Sequence, residues 1–147
     1  MSESAVTSDP PVKGIVVTHG SMCHGMVDAV RKIAGVDDEA LEAVSNDGRS
    51  PETLLEAVTR AAGSGPALIF TDLQTGSCAL TARFVCRDPG NRQVIFGVNL
   101  PMLLDFVFHR ELPLPALVER LLAQGRSAIR SLEPSISRGG NRTSAGG

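Results

Sequence analysis

The sequence predicts an α/β fold, an open parallel sheet in the flavodoxin-like order 2-1-3-4 with helices on both faces. Three observations carry the α/β class and the parallel sheet, for which the flavodoxin-like order is adopted. Short apolar runs at 15–17, 67–71 and 94–98 alternate with segments whose apolar residues recur at helical spacing, which is the signature of βαβ units. These runs show little polar alternation, as expected for strands covered on both sides. Gly and Pro cluster between the units, where chain reversals are needed.

The β-branched run Ile15, Val16 and Val17 is the first predicted strand. Cys23, Met26, Val27, Val30, Ile33 and Ala34 then form the face of a helix that Gly35 ends. Residues 40–44 alternate weakly as a second strand. Ser50 followed by Pro51 gives a cap and a first helical position. The helix they open has the face Leu54, Leu55, Val58, Ala61 and Ala62 and stops at Gly63-Ser64-Gly65-Pro66. The third strand covers 67–71, followed by a polar turn over 72–76 and a helix from Ser77 to Cys86 that Asp88-Pro89-Gly90-Asn91 breaks. A fourth strand is expected over 94–98. Pro101 opens a short helix through Phe108, and Pro115 a longer one with the face Leu117, Val118, Leu121, Leu122 and Ala128. Residues 1–11 form a polar leader and 134–147 a Gly-rich tail, both expected to be disordered. One globular domain is expected between them, over 12–133.

Composition narrows the function. The chain has 147 residues, a formal net charge of −2, five Phe and neither Trp nor Tyr; a basic face and stacking aromatics are both lacking, which argues against nucleic-acid binding. The apolar runs are too short to span a membrane and the polar start does not resemble a secretory signal. Three cysteines without a CxxC pair read as reduced thiols, so a cytoplasmic protein is expected. Cys23 and Cys78 are read as packing residues.

In an open parallel sheet, ligands lie beyond the carboxyl ends of the strands where the strand order reverses. Order 2-1-3-4 makes strands one and three neighbours there, bringing His19, Asp72 and the start of the Ser77 helix together. These parts suit a phosphoryl group. An imidazole is a nucleophile at one nitrogen when the other keeps its proton, and a carboxylate accepting that N–H fixes the tautomer. The first turn of a helix offers N–H donors and a positive dipole end to an anion. Gly76 permits close backbone approach there, and Ser77 adds a hydroxyl. His24 is placed at the rim of the site, and His109 is assigned a helix-end role without chemistry. Cys23, His24 and His19 lack a nearby carboxylate, and the two histidines fall on different elements; neither metal nor cofactor is expected.

Three segments, VVTHGSMCHG (16–25), IFTDLQTGSCA (69–79) and FGVNLPMLL (96–104), together resemble the mannose-type enzyme IIA domain of the bacterial phosphoenolpyruvate-dependent sugar phosphotransferase system. The resemblance extends over about 12–132. It implies that His19 accepts phosphate from the histidine-containing phosphocarrier protein, that Asp72 is its paired aspartate, and that Ser77 is the hydroxyl residue of the phosphate site. It further implies an enzyme IIB component as recipient, sugar uptake as outcome, a membrane link only through the permease, and a homodimer made by exchanging part of the C-terminal segment. The apolar face Leu117–Leu122 is the expected contributor to that dimer, and Met22, Leu73 and Met102 are the expected apolar docking rim. Thr75 and Cys78 depart from the resemblance, which more often has Gly and Pro at those places. Other readings are a regulatory phosphoprotein, a carrier of the dihydroxyacetone-kinase type, and a hydrolase, the last without a Gly-x-Ser-x-Gly elbow.

Overall fold

The structure is a computed structural model and describes residues 10–36 and 38–132. The expected disordered ends lie outside the described residues, apart from Pro10 and Pro11, which are exposed. The elements are β1 (Lys13–Thr18), α1 (Met22–Ala34), a 3-10 turn (Asp38–Ala40), β2 (Leu41–Ser45), α2 (Pro51–Ala62), β3 (Ala67–Thr71), α3 (Ser77–Val85), β4 (Arg92–Phe96), α4 (Leu100–Val107) and α5 (Leu114–Ser127). The strands form one parallel sheet in the order β2-β1-β3-β4, as the sequence predicts.

The pleat sorts the core into two layers. Val16, Leu68 and Phe70 face α1, α4 and α5, where they meet Cys23, Val27, Leu103, Phe106, Leu117 and Leu121. Ile15, Val17 and Ile69 face α2 and α3 and pack on Leu54, Val58, Cys78 and Ala82. Phe70 and Phe106 meet edge to face, with centroids 5.3 Å apart. Gly14 lets this contact form, because a Cβ there would lie 2.6 Å from Phe106 Cε2 and 2.7 Å from Leu41 Cδ1. Gly14→Ala is therefore expected to destabilise the fold by about 1–3 kcal/mol through overpacking; an unchanged thermal midpoint would contradict this packing.

Several boundaries differ from the sequence reading. Ala40 belongs to the 3-10 turn, and β2 runs one residue later. The fourth strand begins at Arg92 and ends at Phe96, because polar residues are tolerated on an edge strand and Gly97, at φ 76°, turns the chain away. Leu100 and Leu114, each one residue before its proline, start α4 and α5. Ile33 is 63% exposed; at 3.6 residues per turn it falls about a quarter-turn from the centre of the stripe formed by Cys23, Val27, Val30 and Ala34. Leu117 and Leu121 are wholly buried in this chain's own core, so they do not supply the free face expected for dimer formation. Ala128 ends α5 and is exposed.

Candidate functional site

His19 follows β1 directly and Asp72 follows β3 directly. The two strands are hydrogen-bonded neighbours in a register that sets Val17 beside Thr71, so the next residues emerge together at one end of the sheet. Polar side chains shape the turn after β1. The Thr18 hydroxyl accepts the Cys23 N–H at 2.7 Å and donates to the His19 carbonyl. Ser45 Oγ donates to the Gly20 carbonyl at 2.7 Å, and Asn46 Oδ1 accepts the Gly20 N–H. After β3, the Thr71 hydroxyl donates to the Leu73 carbonyl at 2.9 Å.

Asp72 grips His19 twice with one oxygen. Its Oδ2 accepts the His19 backbone N–H at 3.0 Å and lies 2.9 Å from ring Nδ1, while Oδ1 accepts the Leu73 N–H at 3.0 Å. Burial pushes the Asp72 carboxyl up, but the bonds from the His19 backbone and ring, the ring's charge and the Asp72 backbone N–H outweigh it and hold the group below the ordinary aspartate value. An ionised carboxylate can only accept, so Nδ1 presents its proton to Asp72, and in the neutral form of the ring the lone pair is on Nε2. The Asp72 side chain is 10% exposed and that of His19 is 41% exposed. The acceptor is shielded while the ring is reachable from solvent.

The lone-pair side of the ring faces the start of α3. A Cβ on Gly76 would lie 3.5 Å from both Nε2 and Cε1 of His19. Gly76 has φ 97°, which favours glycine, and caps α3 without any side-chain hydrogen bond. Ser77, the first residue of α3, is exposed. The structure thus brings together His19, Asp72 and Gly76, and it sets Ser77 next to Gly76 at the helix start.

Other expected residues fall at varied places. His24 is exposed and lines a shallow groove with Gly20, Ser21, Asp47 and Arg49 beside the site. His109 Nδ1 donates to the Asp105 carbonyl at 2.8 Å at the end of α4, the helix-end role the sequence suggests. Met22 and Leu73 are exposed, at 44% and 56%, but Met102 is buried. It belongs to the inner face of α4 with Leu103, Phe106 and Val107, so it is a core residue and not part of a docking rim. Sequence reasoning missed Asn99 as an anchor. Its Oδ1 accepts the Met102 N–H and its Nδ2 donates to the Gly125 carbonyl at 2.9 Å, tying the start of α4 to α5. It also missed the place of Cys78. This thiol is buried in the core as expected, yet its sulfur and ligand atoms of His19 and Asp72 all lie within 4.8 Å of one another. Burial and the nearby Asp72 charge push the Cys78 thiol up to about 11, the Ser77 hydroxyl opposing.

The family model described as "EIIA-man: PTS system fructose IIA component" matches residues 13–121, a span containing the whole sheet and both site segments. Among solved structures, phosphotransferase system component EIIA from Streptococcus agalactiae is similar at 23% identity with a TM-score of 0.75, covering 82% of this chain and 96% of that one. The mannose/sorbose-specific IIA subunit of the phosphotransferase system from Enterococcus faecalis is similar at 24% identity with a TM-score of 0.72, covering 84% and 96%. These two likenesses bear on the fold. Among curated proteins none is a significant match. With four parallel strands in the order 2-1-3-4 and a family match across most of its length, the chain belongs to the EIIA-man family of phosphotransferase-system IIA components.

Proposed function

We propose that this protein is a phosphotransferase that takes a phosphoryl group onto Nε2 of His19 from the phosphorylated histidine-containing phosphocarrier protein and passes it to an enzyme IIB component for sugar uptake. The observation that carries the reading is the 2.9 Å contact between Asp72 Oδ2 and His19 Nδ1. It keeps the proton on Nδ1, so Nε2 attacks phosphorus without first having to lose one. The N–P bond to the carrier breaks as the bond to Nε2 forms, and the Asp72 carboxylate balances the positive charge that develops on the ring. The phosphoryl oxygens are proposed to meet the N–H groups at Gly76 and Ser77 at the start of α3. Passing the group on reverses these steps toward the acceptor side chain of the IIB component.

A relay needs its histidine reachable by two partners in turn, and the exposed His19 ring fits that need. Met22 and Leu73 remain in the proposed docking rim. The first turns of α3 extend it with Leu80, which is 60% exposed. Short-lived complexes use apolar patches of modest size. Incubation with phosphoenolpyruvate, enzyme I and the carrier protein, followed by mass measurement, tests the proposal. One added phosphate supports it, and an unmodified mass overturns it.

We place the working domain at 12–133 and the protein in the cytoplasm; no helix among the described residues is long and apolar enough to cross a membrane. A homodimer is part of the same reading. Leu117 and Leu121 are already buried, so the exposed Ile129 and Leu132 beyond α5 are the apolar groups available for exchange with a second copy. Sedimentation is expected to show a dimer at micromolar concentration, and a clean monomer would refute it.

A further inference from the structure

We propose that His19, Asp72 and Cys78 together bind a divalent cation of the zinc type, giving the site a metal-loaded state that excludes the phosphoryl group. The three residues come from the ends of β1 and β3 and the first turn of α3. Their ligand atoms lie within 4.8 Å of one another. Nitrogen, oxygen and sulfur donors in one cluster suit Zn²⁺, whereas Mg²⁺ and Ca²⁺ prefer oxygen alone. Two of the three are held in advance. Cys78 is fully buried in the core, and the Asp72 carboxylate is fixed by the N–H groups of His19 and Leu73, as supporting hydrogen bonds fix metal ligands elsewhere. The His19 ring is half-exposed, and a water is assigned to the fourth coordination position of the proposed site.

Binding exchanges water ligands of the hydrated cation for His19 Nδ1, which faces Asp72, a carboxylate oxygen and the sulfur; the ring proton moves from Nδ1 to Nε2 by exchange with water, the thiol proton passes to solvent, and nothing is oxidised or reduced. Sequence reasoning overlooked the cluster because it considered Cys23 and His24, close to His19 in sequence. Asp72 is 53 residues from His19 and is brought beside it by the pairing of β1 with β3. The metal would engage the ring and carboxylate that phosphoryl transfer uses. That consequence rests on the proposed function, whereas the binding itself rests on the cluster alone.

Cobalt(II) titration of the purified full chain tests the binding. One equivalent of Co²⁺ is expected to produce a thiolate-to-cobalt charge-transfer band, which Zn²⁺ then abolishes by displacement. Cys78→Ala is expected to remove the band and weaken cobalt binding at least tenfold, and Cys86→Ser to leave both unchanged. His19→Ala, at a half-exposed position, covers the case in which Cys78→Ala fails to fold, and its affinity is also expected to fall at least tenfold. Absence of the band in the folded wild-type chain, its survival in a folded Cys78→Ala variant, or undiminished affinity in His19→Ala would overturn the proposal. The band reports the thiolate without any phosphoryl donor, so failure of phosphoryl acceptance would be recognised separately.

Discussion

His19→Ala is expected to take up no phosphate when incubated with phosphoenolpyruvate, enzyme I and the carrier protein, while His24→Ala and His109→Ala become phosphorylated like the wild type. The chain has three histidines, and their surroundings separate them. His19 has a carboxylate on Nδ1 and an uncapped glycine helix start beside Nε2. His109 spends its Nδ1 on the Asp105 carbonyl, with the Asp105 carboxylate also 3.3 Å away. That carboxylate is itself engaged by two nitrogens of Arg120. His24 stands on the exposed side of α1, beside a groove. Loss of the nucleophile cannot be offset by the remaining anion-binding groups, because they hold a phosphoryl group without forming a bond to it. Mass measurement reads the result directly, and full phosphorylation of His19→Ala would remove the central assignment.

Asp72→Asn is expected to slow phosphoryl transfer on the order of 10²-fold or more, as when the carboxylate that fixes a catalytic imidazole's tautomer is replaced by an amide, without eliminating the adduct. The geometry shows why the near-isosteric amide is a poor replacement. Oδ2 faces two donors, the His19 N–H and Nδ1–H, and Oδ1 faces a third, the Leu73 N–H. An amide has one oxygen, so its NH₂ must confront a backbone donor whichever way it is turned. With the nitrogen toward the ring, it donates to Nδ1 and moves the ring proton to Nε2, the wrong tautomer for attack. With the oxygen toward the ring, the tautomer survives but the negative charge opposite the developing imidazolium is lost. Asp72→Ala leaves the ring unheld and is expected to be slow as well. Phosphorus NMR of the denatured wild-type adduct is expected to show the Nε2 isomer; the Nδ1 isomer would show that the pairing does not direct the reaction.

The same carboxylate links the site to acid stability. In the folded chain its pKa lies below the ordinary aspartate value, so its stabilising contribution is complete above that ordinary value. The contribution is lost as pH falls through the depressed one.

The strands and the residues that end them were legible because they depend on strong local signals, and the adopted flavodoxin-like order then set His19 beside Asp72. β-branched and apolar runs mark the two inner strands, and a polar residue directly after each one is carried to the same end of the sheet. Edge elements were less legible. Arg92 and Gln93 lie on a strand that is covered less fully, so their polarity hides the start of β4. Met102 looked like a surface residue next to a site segment, yet the close approach of Gly125, where a Cβ would stand 2.6 Å from Met102 Cε, shows how tightly α5 covers it. Cys78 read as core and is core, but its nearness to the pair depends on the angle at which α3 leaves the turn after Asp72. Neither spacing nor periodicity encodes that angle.

The position of the pair on the two inner strands also governs how the site responds to denaturation. Every residue from Gly14 to Thr18 and from Ala67 to Thr71 is buried, and each of these strands is flanked on both sides by another. Amides in such strands exchange with solvent through opening of the whole domain rather than through local fraying. His19 and Asp72 therefore inherit the domain's cooperativity. Under rising denaturant their contact is kept nearly intact in every folded molecule and is lost as that molecule unfolds. Mutations that weaken the core lower the number of competent molecules and leave the rate of each competent molecule almost unchanged.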